Sequence, residues 1–157
     1  MRKQKKSILV LGIITISLAT TLFLLSRILP ASERFEMVLD GKAVLDKQTG
    51  LIWEQSPDTT TRSWAGAIAY CDNKTTGGRK GWRLPTVKEL ASLVDPSQTV
   101  PALPSGHPFS NVQSTIYWSL STSGSDSSNP GIVFFHCGYV SAFDKSHHYV
   151  WCVQAGE

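Results

Sequence analysis

Residues 81–90, with the sequence GWRLPTVKEL, constrain this chain most, because they place a strand, a forced turn and a helix start in direct succession. Trp82 and Leu84 alternate with Arg83, which is the period of a strand that has one apolar face. Pro85 has no N–H to donate to a sheet ladder, so it ends the strand. The first half of the segment therefore predicts a strand that stops at Pro85.

The second half of the segment predicts the start of a helix. Thr86 and Glu89 have the spacing of a capping box, in which the hydroxyl and the carboxylate each accept a backbone N–H. Apolar residues follow at helical spacing, and Asp95 with Pro96 stops them. A strand that turns directly into a capped amphipathic helix is a packing junction, so we expect the core to be built against it. The predicted core residues are Trp53, Trp64, Trp82, Leu84 and Leu90.

The N-terminal region predicts a membrane segment. Residues 1–6 carry four basic side chains, and residues 8–25 carry no charged side chain. A stretch of this length just spans the hydrocarbon of a bilayer, and the preceding basic residues place the N-terminus in the cytoplasm. We interpret residues 1–29 as an uncleaved anchor, with an export signal that is cleaved near Ala31 as the alternative. The expected location is the bacterial cytoplasmic membrane with the C-terminal domain outside, or secretion after cleavage.

The positive charge of the chain belongs to this segment. The net charge is +3, but five of the fifteen basic residues lie within the first 27 residues, whereas all twelve acidic residues follow them. The remainder is therefore slightly acidic, which gives no support for nucleic-acid binding. Within it, the basic stretch from Lys74 to Lys88 is interpreted as a solvated loop and helix face rather than an anion-binding patch.

The remaining pattern predicts one α+β domain. Residues 30–40 form an expected polar stalk, and the domain proper is expected at residues 41–155. A hairpin is predicted from residues 43–45 and 51–53, polar turns at 56–62, and a helix capped by Ser63. Long loops and an antiparallel meander follow, with strands at 116–120, 132–136, 139–143 and 149–153.

Three cysteines, Cys71, Cys137 and Cys152, lie in the part of the chain that is expected outside the cytoplasm, where disulfides form. A bridge between Cys71 and Cys152 would close the longest loop and remove the most entropy from the unfolded chain. Pairing of Cys137 with Cys152 is the competing arrangement. Because no zinc-ligand spacing is present, no metal site is predicted.

Several runs resemble a known family. They are D-x-x-T-G-L-x-W at residues 46–53, S-W-x-x-A-x-x-Y-C at 63–71, the segment at 81–90, Y-W-S at 117–119 and the closing residues 149–153. Together they resemble the domain of unknown function numbered 1566, also named for the C-terminal domain of a Legionella collagen-like protein. The W-R-L-P piece also resembles formylglycine-generating enzymes. The resemblance implies a C-type lectin-like fold, with two helices on small antiparallel sheets and a bridge from Cys71 to Cys152.

The functional expectation is a non-enzymatic recognition module that binds a glycan or a protein in the bacterial envelope. The chain lacks the tripeptides of calcium-dependent lectins and the cysteine pair of formylglycine-generating enzymes, so no catalytic residue and no cofactor are predicted. An enzyme of the formylglycine-generating type with Cys137 as a reactive thiol, and a structural subunit of a membrane complex, are the alternatives. The candidate ligand-binding residues are Arg83, Trp118, Asp126, Asn129 and Tyr139.

Overall fold

The computed structural model describes residues 30–122, 129–142 and 146–156. The predicted membrane segment at residues 8–25 and the candidate residue Asp126 lie outside these ranges. Within them, no helix has the length and apolar character needed to cross a bilayer. The elements in chain order are α1 (Ala31–Arg34), β1 (Phe35–Val38), β2 (Ala43–Asp46), β3 (Leu51–Glu54), β4 (Asp58–Arg62), α2 (Trp64–Asp72), α3 (Val87–Ser92), β5 (Ile116–Thr122), β6 (Pro130–Phe134), β7 (Val140–Ala142), β8 (His148–Val150) and β9 (Val153–Ala155).

The strands form two sheets, as expected for an α+β fold. The first sheet has the order β1-β2-β3-β9, and all its pairs are antiparallel. Arg83 adds a single antiparallel bridge to Val153 at its edge. The predicted strand before Pro85 is thus reduced to one bridged residue, and the predicted hairpin of β2 and β3 is confirmed.

The second sheet differs from the predicted meander. Its order is β4-β8-β5-β6-β7, and β8 pairs with β5 in parallel, with Tyr149 opposite Tyr117. The expected single strand at residues 149–153 is divided between the sheets, because the chain passes from β8 to β9 through Trp151 and Cys152. Residues 58–62, expected as a turn, form the edge strand β4. These corrections reflect pairing between residues that are distant in sequence.

The five-stranded sheet is covered by a helix on each face. Helix α3 packs on β5 and β6, whereas α2 packs on β4, β5 and β8. Alternate residues of each strand therefore enter different clusters. Tyr117 and Val133 join Leu90 in the cluster beside α3, and Trp118 and Ile132 join Cys71 in the cluster beside α2, which we call the α2 cluster. Both faces are buried, so the core extends on either side of the sheet.

The predicted core is confirmed with one refinement. Trp53, Trp82, Leu84 and Leu90 are fully buried. Trp64 is half-buried and packs against the α2 cluster. Its indole Nε1 donates to the carbonyl of Ser119 at 2.8 Å, so the ring joins α2 to β5 while its outer edge meets solvent.

Residues 30–40 are part of the fold rather than a separate stalk. Ala31 and Phe35 are buried in the core, and β1 pairs along its whole length with β2. Arg34 donates through Nε and Nη2 to the two carboxylate oxygens of Asp46 at 2.8 and 2.7 Å. Burial alone would raise the pKa of Asp46, but the bonds from Arg34 and Thr49 outweigh it and lower that pKa.

The five-stranded sheet has two distinct ends. At the distal end, β5 finishes and β6 begins, and Leu120 N donates to the Pro85 carbonyl at 2.6 Å next to the start of α3. At the proximal end, α3 finishes near the turn between β6 and β7, where Val94 lies against Gly138. Pro30, the first described residue, lines a cavity together with Val94 at this proximal end.

Candidate functional site

The predicted disulfide between Cys71 and Cys152 is confirmed, with a Cα–Cα separation of 5.5 Å. It joins α2 to the crossing segment between β8 and β9. Cys137 is free and exposed in the turn after β6, at the proximal end. The bridge and the free thiol are therefore at separate places, and the competing pairing of Cys137 with Cys152 is wrong.

A buried carboxylate supports the bridged segment. Glu54 Oε2 accepts the N–H of Cys152 at 3.0 Å, and Glu54 Oε1 pairs with Lys74 Nζ at 2.5 Å. Burial raises the pKa of Glu54 more than Lys74 lowers it. Burial would lower the pKa of Lys74, but its bonds to Glu54 and to the Tyr70 hydroxyl raise it. Lys74 is thus a structural partner rather than the solvated residue that the sequence suggested.

The predicted capping box at the start of α3 is present. Glu89 N donates to Thr86 Oγ1 at 3.2 Å, and Thr86 N donates to Glu89 Oε2 at 2.7 Å. Arg83 also binds this carboxylate through two bonds, of 2.8 and 2.6 Å. Hydrogen bonding from Arg83 is the largest cause that lowers the pKa of Glu89 to about 2. Glu89 is consequently ionised at neutral pH and is not a proton donor there.

An open cavity of about 420 Å³ lies between the β2–β3 turn and α3. We call it the α3 cavity. One wall comes from the D-x-x-T-G-L-x-W run and the other from the W-R-L-P-T-x-K-E-L run, so the two motifs meet there. The lining residues are Thr49, Leu51, Thr86, Lys88, Glu89 and Ser92.

The hydroxyl groups and the carboxylate around the α3 cavity are held by hydrogen bonds within the domain. Thr49 Oγ1 donates to Asp46 Oδ2 at 2.8 Å, and Ser92 Oγ donates to the Glu89 carbonyl at 2.6 Å. Lys88 is exposed at the cavity wall. Leu51 adds an apolar surface. A cavity with an ammonium, a carboxylate, hydroxyl groups and one apolar wall suits a polar ligand such as a sugar or a peptide segment.

Two of the five predicted ligand residues are not available as free surface groups. Trp118 is 1% exposed, and its Nε1 donates to the Arg62 carbonyl at 2.7 Å. His148 packs edge-on against the Trp118 ring at 4.5 Å. Trp118 is therefore a core residue. Arg83 was expected to be free to face a ligand, but both of its terminal nitrogens bind Glu89.

The structure also separates two further candidates. Asn129 precedes β6 at the distal end, whereas Tyr139 follows the turn at the proximal end of β6. Tyr139 is 62% exposed and lies with its ring centroid 6.4 Å from that of Phe134. Because the two residues lie at opposite ends of one strand, they do not belong to a single binding site.

The sequence model of the Lcl C-terminal domain matches residues 42–154. The chain belongs to the Lcl C-terminal domain family. The match begins in the turn before β2 and ends in β9. It therefore includes every strand except β1, together with both motif runs of the α3 cavity and the two bridged cysteines of this Lcl C-terminal domain. A search of curated proteins found no match to the chain.

A metal centre would need several ligating side chains close together within the described ranges. No three His, Cys, Asp or Glu side chains gather there in an arrangement that would hold a metal ion. Ser119 is buried, and its Oγ donates to the Gly131 carbonyl at 2.9 Å. The cavity residues Thr49 and Lys88 were not selected from the sequence, although both are letters of the motif runs. Only the contact between the two runs reveals that they line one cavity.

Proposed function

We propose that this Lcl C-terminal domain is a non-enzymatic recognition module outside the bacterial cytoplasm that binds a glycan or a protein ligand of the cell envelope. The observation that carries the proposal is the α3 cavity, which both motif runs of the family line together. Lys88 would contact an anionic or hydroxyl group of the ligand, and Leu51 would cover its apolar surface.

The electrostatics of the cavity favour recognition over acid–base catalysis. The carboxylate of Glu89, whose pKa is about 2, remains charged and tied to Arg83 through neutral pH. Thr86 caps the helix, and Thr49 closes the β2–β3 turn. Preformed groups that do not change protonation suit equilibrium binding, because they pay little ordering cost when the ligand arrives.

The test is binding of the full-length chain, kept in detergent, to a glycan array and to fractionated cell-wall polysaccharide. Lys88→Ala should weaken retention of the bound fraction. Lys42→Ala replaces another exposed lysine, in the turn between β1 and β2, and should bind as the wild type does. Absence of binding to any envelope fraction, or equal retention of the two variants, would refute the proposal.

One substitution distinguishes the proposed recognition module from the alternative of an enzyme that uses Cys137. The Cys137 thiol is exposed, so it is open to alkylation. We expect Cys137→Ser to bind envelope fractions as the wild type does, because Cys137 is not among the residues that line the α3 cavity. Loss of binding in this variant would favour the thiol-based alternative.

A further inference from the structure

Pro30, the first described residue, is joined to the packed domain. The Pro30 carbonyl accepts the N–H groups of Glu33 and Arg34 at 2.9 Å, and Ala31 is buried in the core. The Arg34–Asp46 ion pair holds the same turn, with side chains that are 7% and 0% exposed. Because Pro30 is tied to the domain in this way, the length of the preceding segment limits how far the domain lies from its anchor.

That length is short. In the membrane topology predicted from the sequence, residues 8–25 cross the bilayer, and only residues 26–29 separate them from Pro30. Five residue steps, each of which advances an extended chain by at most about 3.6 Å, allow roughly 18 Å between the Cα atoms of Leu25 and Pro30. The headgroup layer on one side of a bilayer is about 5–8 Å thick. The proximal end is therefore within reach of the lipid headgroups.

The same end exposes large apolar side chains. Val100 is 59%, Tyr139 62% and Val140 41% exposed. The loop that carries Val100 is closed by a backbone bond from Asp95 to Ala102 at 3.0 Å. Ala102 N in turn donates to the Phe135 carbonyl at 2.7 Å, which places this loop beside the β6–β7 turn.

We infer that the proximal end is a membrane-contact surface, whose exposed side chains Val100, Tyr139 and Val140 enter the headgroup layer of the bilayer that holds the anchor. The inference rests on the membrane anchor that the sequence predicts. An aromatic ring with a polar hydroxyl is suited to this layer, and the aliphatic side chains gain by leaving water. The contact fixes the orientation of the domain, so that the distal end with Asn129 is directed away from the membrane.

The free thiol of Cys137 is a native probe for this surface. The full-length chain is reconstituted into vesicles of phosphatidylethanolamine and phosphatidylglycerol, and Cys137 is labelled with a fluorophore. Quenching by a lipid that carries a nitroxide on its headgroup is then measured. The matched control carries the same label at the distal end, in the double variant Cys137→Ser and Thr122→Cys. We expect several-fold stronger quenching at position 137 than at position 122, and equal quenching would overturn the inference.

Two further readouts separate the surface from the anchor. Sedimentation with the vesicles after an alkaline wash reports the anchor alone, so loss of sedimentation overturns the membrane location and the inference with it. Sedimentation with equal quenching overturns only the contact surface.

In the double variant Val100→Asn and Tyr139→Ser, quenching at Cys137 should fall toward the control value while the urea midpoint stays unchanged. Asparagine tolerates the φ of +57° at Val100. Unchanged quenching in this variant would contradict the role of these two side chains.

Discussion

Arg83 and Glu89 form a two-point ion pair across the turn at Pro85, with Nη1–Oε2 at 2.8 Å and Nη2–Oε1 at 2.6 Å. The carboxylate also accepts the N–H of Thr86, so one side chain closes the helix cap and fixes the arginine. Arg83 itself bridges Val153 at the edge of the first sheet. This pair therefore links the sheet edge, the turn and α3, and it forms one side of the region that contains the α3 cavity.

The acid limb of the stability curve should report this pair. The pKa of Glu89 is about 2, against an ordinary value of 4.5. Because the folded pKa is depressed, the stabilisation is complete above pH 4.5 and is lost as the pH falls toward 2. Glu89→Gln keeps a capping amide but removes the charge, and should cost about 1 kcal/mol at pH 7. In urea unfolding between pH 2 and 7, the free energy of unfolding of Glu89→Gln should depend less on pH in the acid range than that of the exposed control Glu36→Gln. An equal pH dependence in the two variants would contradict the pair's role.

Trp82→Ala should unfold or strongly destabilise the domain. The ring is 1% exposed in the α2 cluster, and its Nε1 donates to the Arg79 carbonyl at 3.1 Å. Removal of a buried indole costs about 3–5 kcal/mol, whereas Tyr139→Ala, at an exposed position, should cost less than about 0.5 kcal/mol. The free energy of unfolding is measured in urea. A stable Trp82→Ala domain that no longer binds its ligand would show that Trp82 belongs to a binding site instead of the core.

Lys74→Met should destabilise the domain in a pH-dependent way. It leaves the Glu54 carboxylate, which is 3% exposed, without its cationic partner, at a cost of roughly 3 kcal/mol near pH 7. Burial already raises the pKa of Glu54, and loss of Lys74 raises it further. The penalty is therefore full above this raised pKa, shrinks as the pH falls from it toward the ordinary value of 4.5, and is largely absent below that value. Urea unfolding at pH 7 and pH 4 measures the difference. The exposed control Lys47→Met should change little at either pH, and a penalty for Lys74→Met that is the same at both would contradict the account.

Loss of the disulfide should cost more than any single surface change. The bridged residues are 81 apart in sequence, and closure of a loop of that length is worth roughly 4–5 kcal/mol in the chain-entropy treatment. The double variant Cys71→Ala and Cys152→Ala should therefore show a much lower urea midpoint. Cys137→Ser, in which the bridge remains, should keep the wild-type midpoint. A comparable loss in Cys137→Ser would contradict the assignment of Cys137 as a free surface thiol.

The sequence predicts those parts of the fold whose causes are local. The capping box depends on residues three apart, and the β2–β3 hairpin depends on a short turn, so both are readable from the chain. The helix capped by Ser63 also forms as α2, with Ser63 Oγ accepting the N–H of Gly66. The buried faces at Trp82 and Leu84 follow from simple alternation.

The parts that the sequence does not reveal depend on distant partners. The structural role of Arg34 depends on its ion pair with Asp46, which is distant in sequence. Two residues of β1 are exposed, so the sequence of this region resembles a polar stalk. Strand β4 has no apolar residue and forms by pairing at a sheet edge with β8. At the site, the sequence does not identify Lys88 as a candidate ligand-binding residue, because the cavity that it lines forms only when the β2–β3 turn packs against α3.

The central claim is that the α3 cavity binds an envelope ligand, and calorimetric titration of a retained cell-wall fragment into the full-length chain tests it most directly. Lys88→Ala, with an unchanged urea midpoint, should weaken binding about tenfold or more, which corresponds to a loss of about 1.4 kcal/mol. Lys42→Ala should bind with wild-type affinity. Wild-type affinity in Lys88→Ala, or equal weakening in both variants, would contradict the claim.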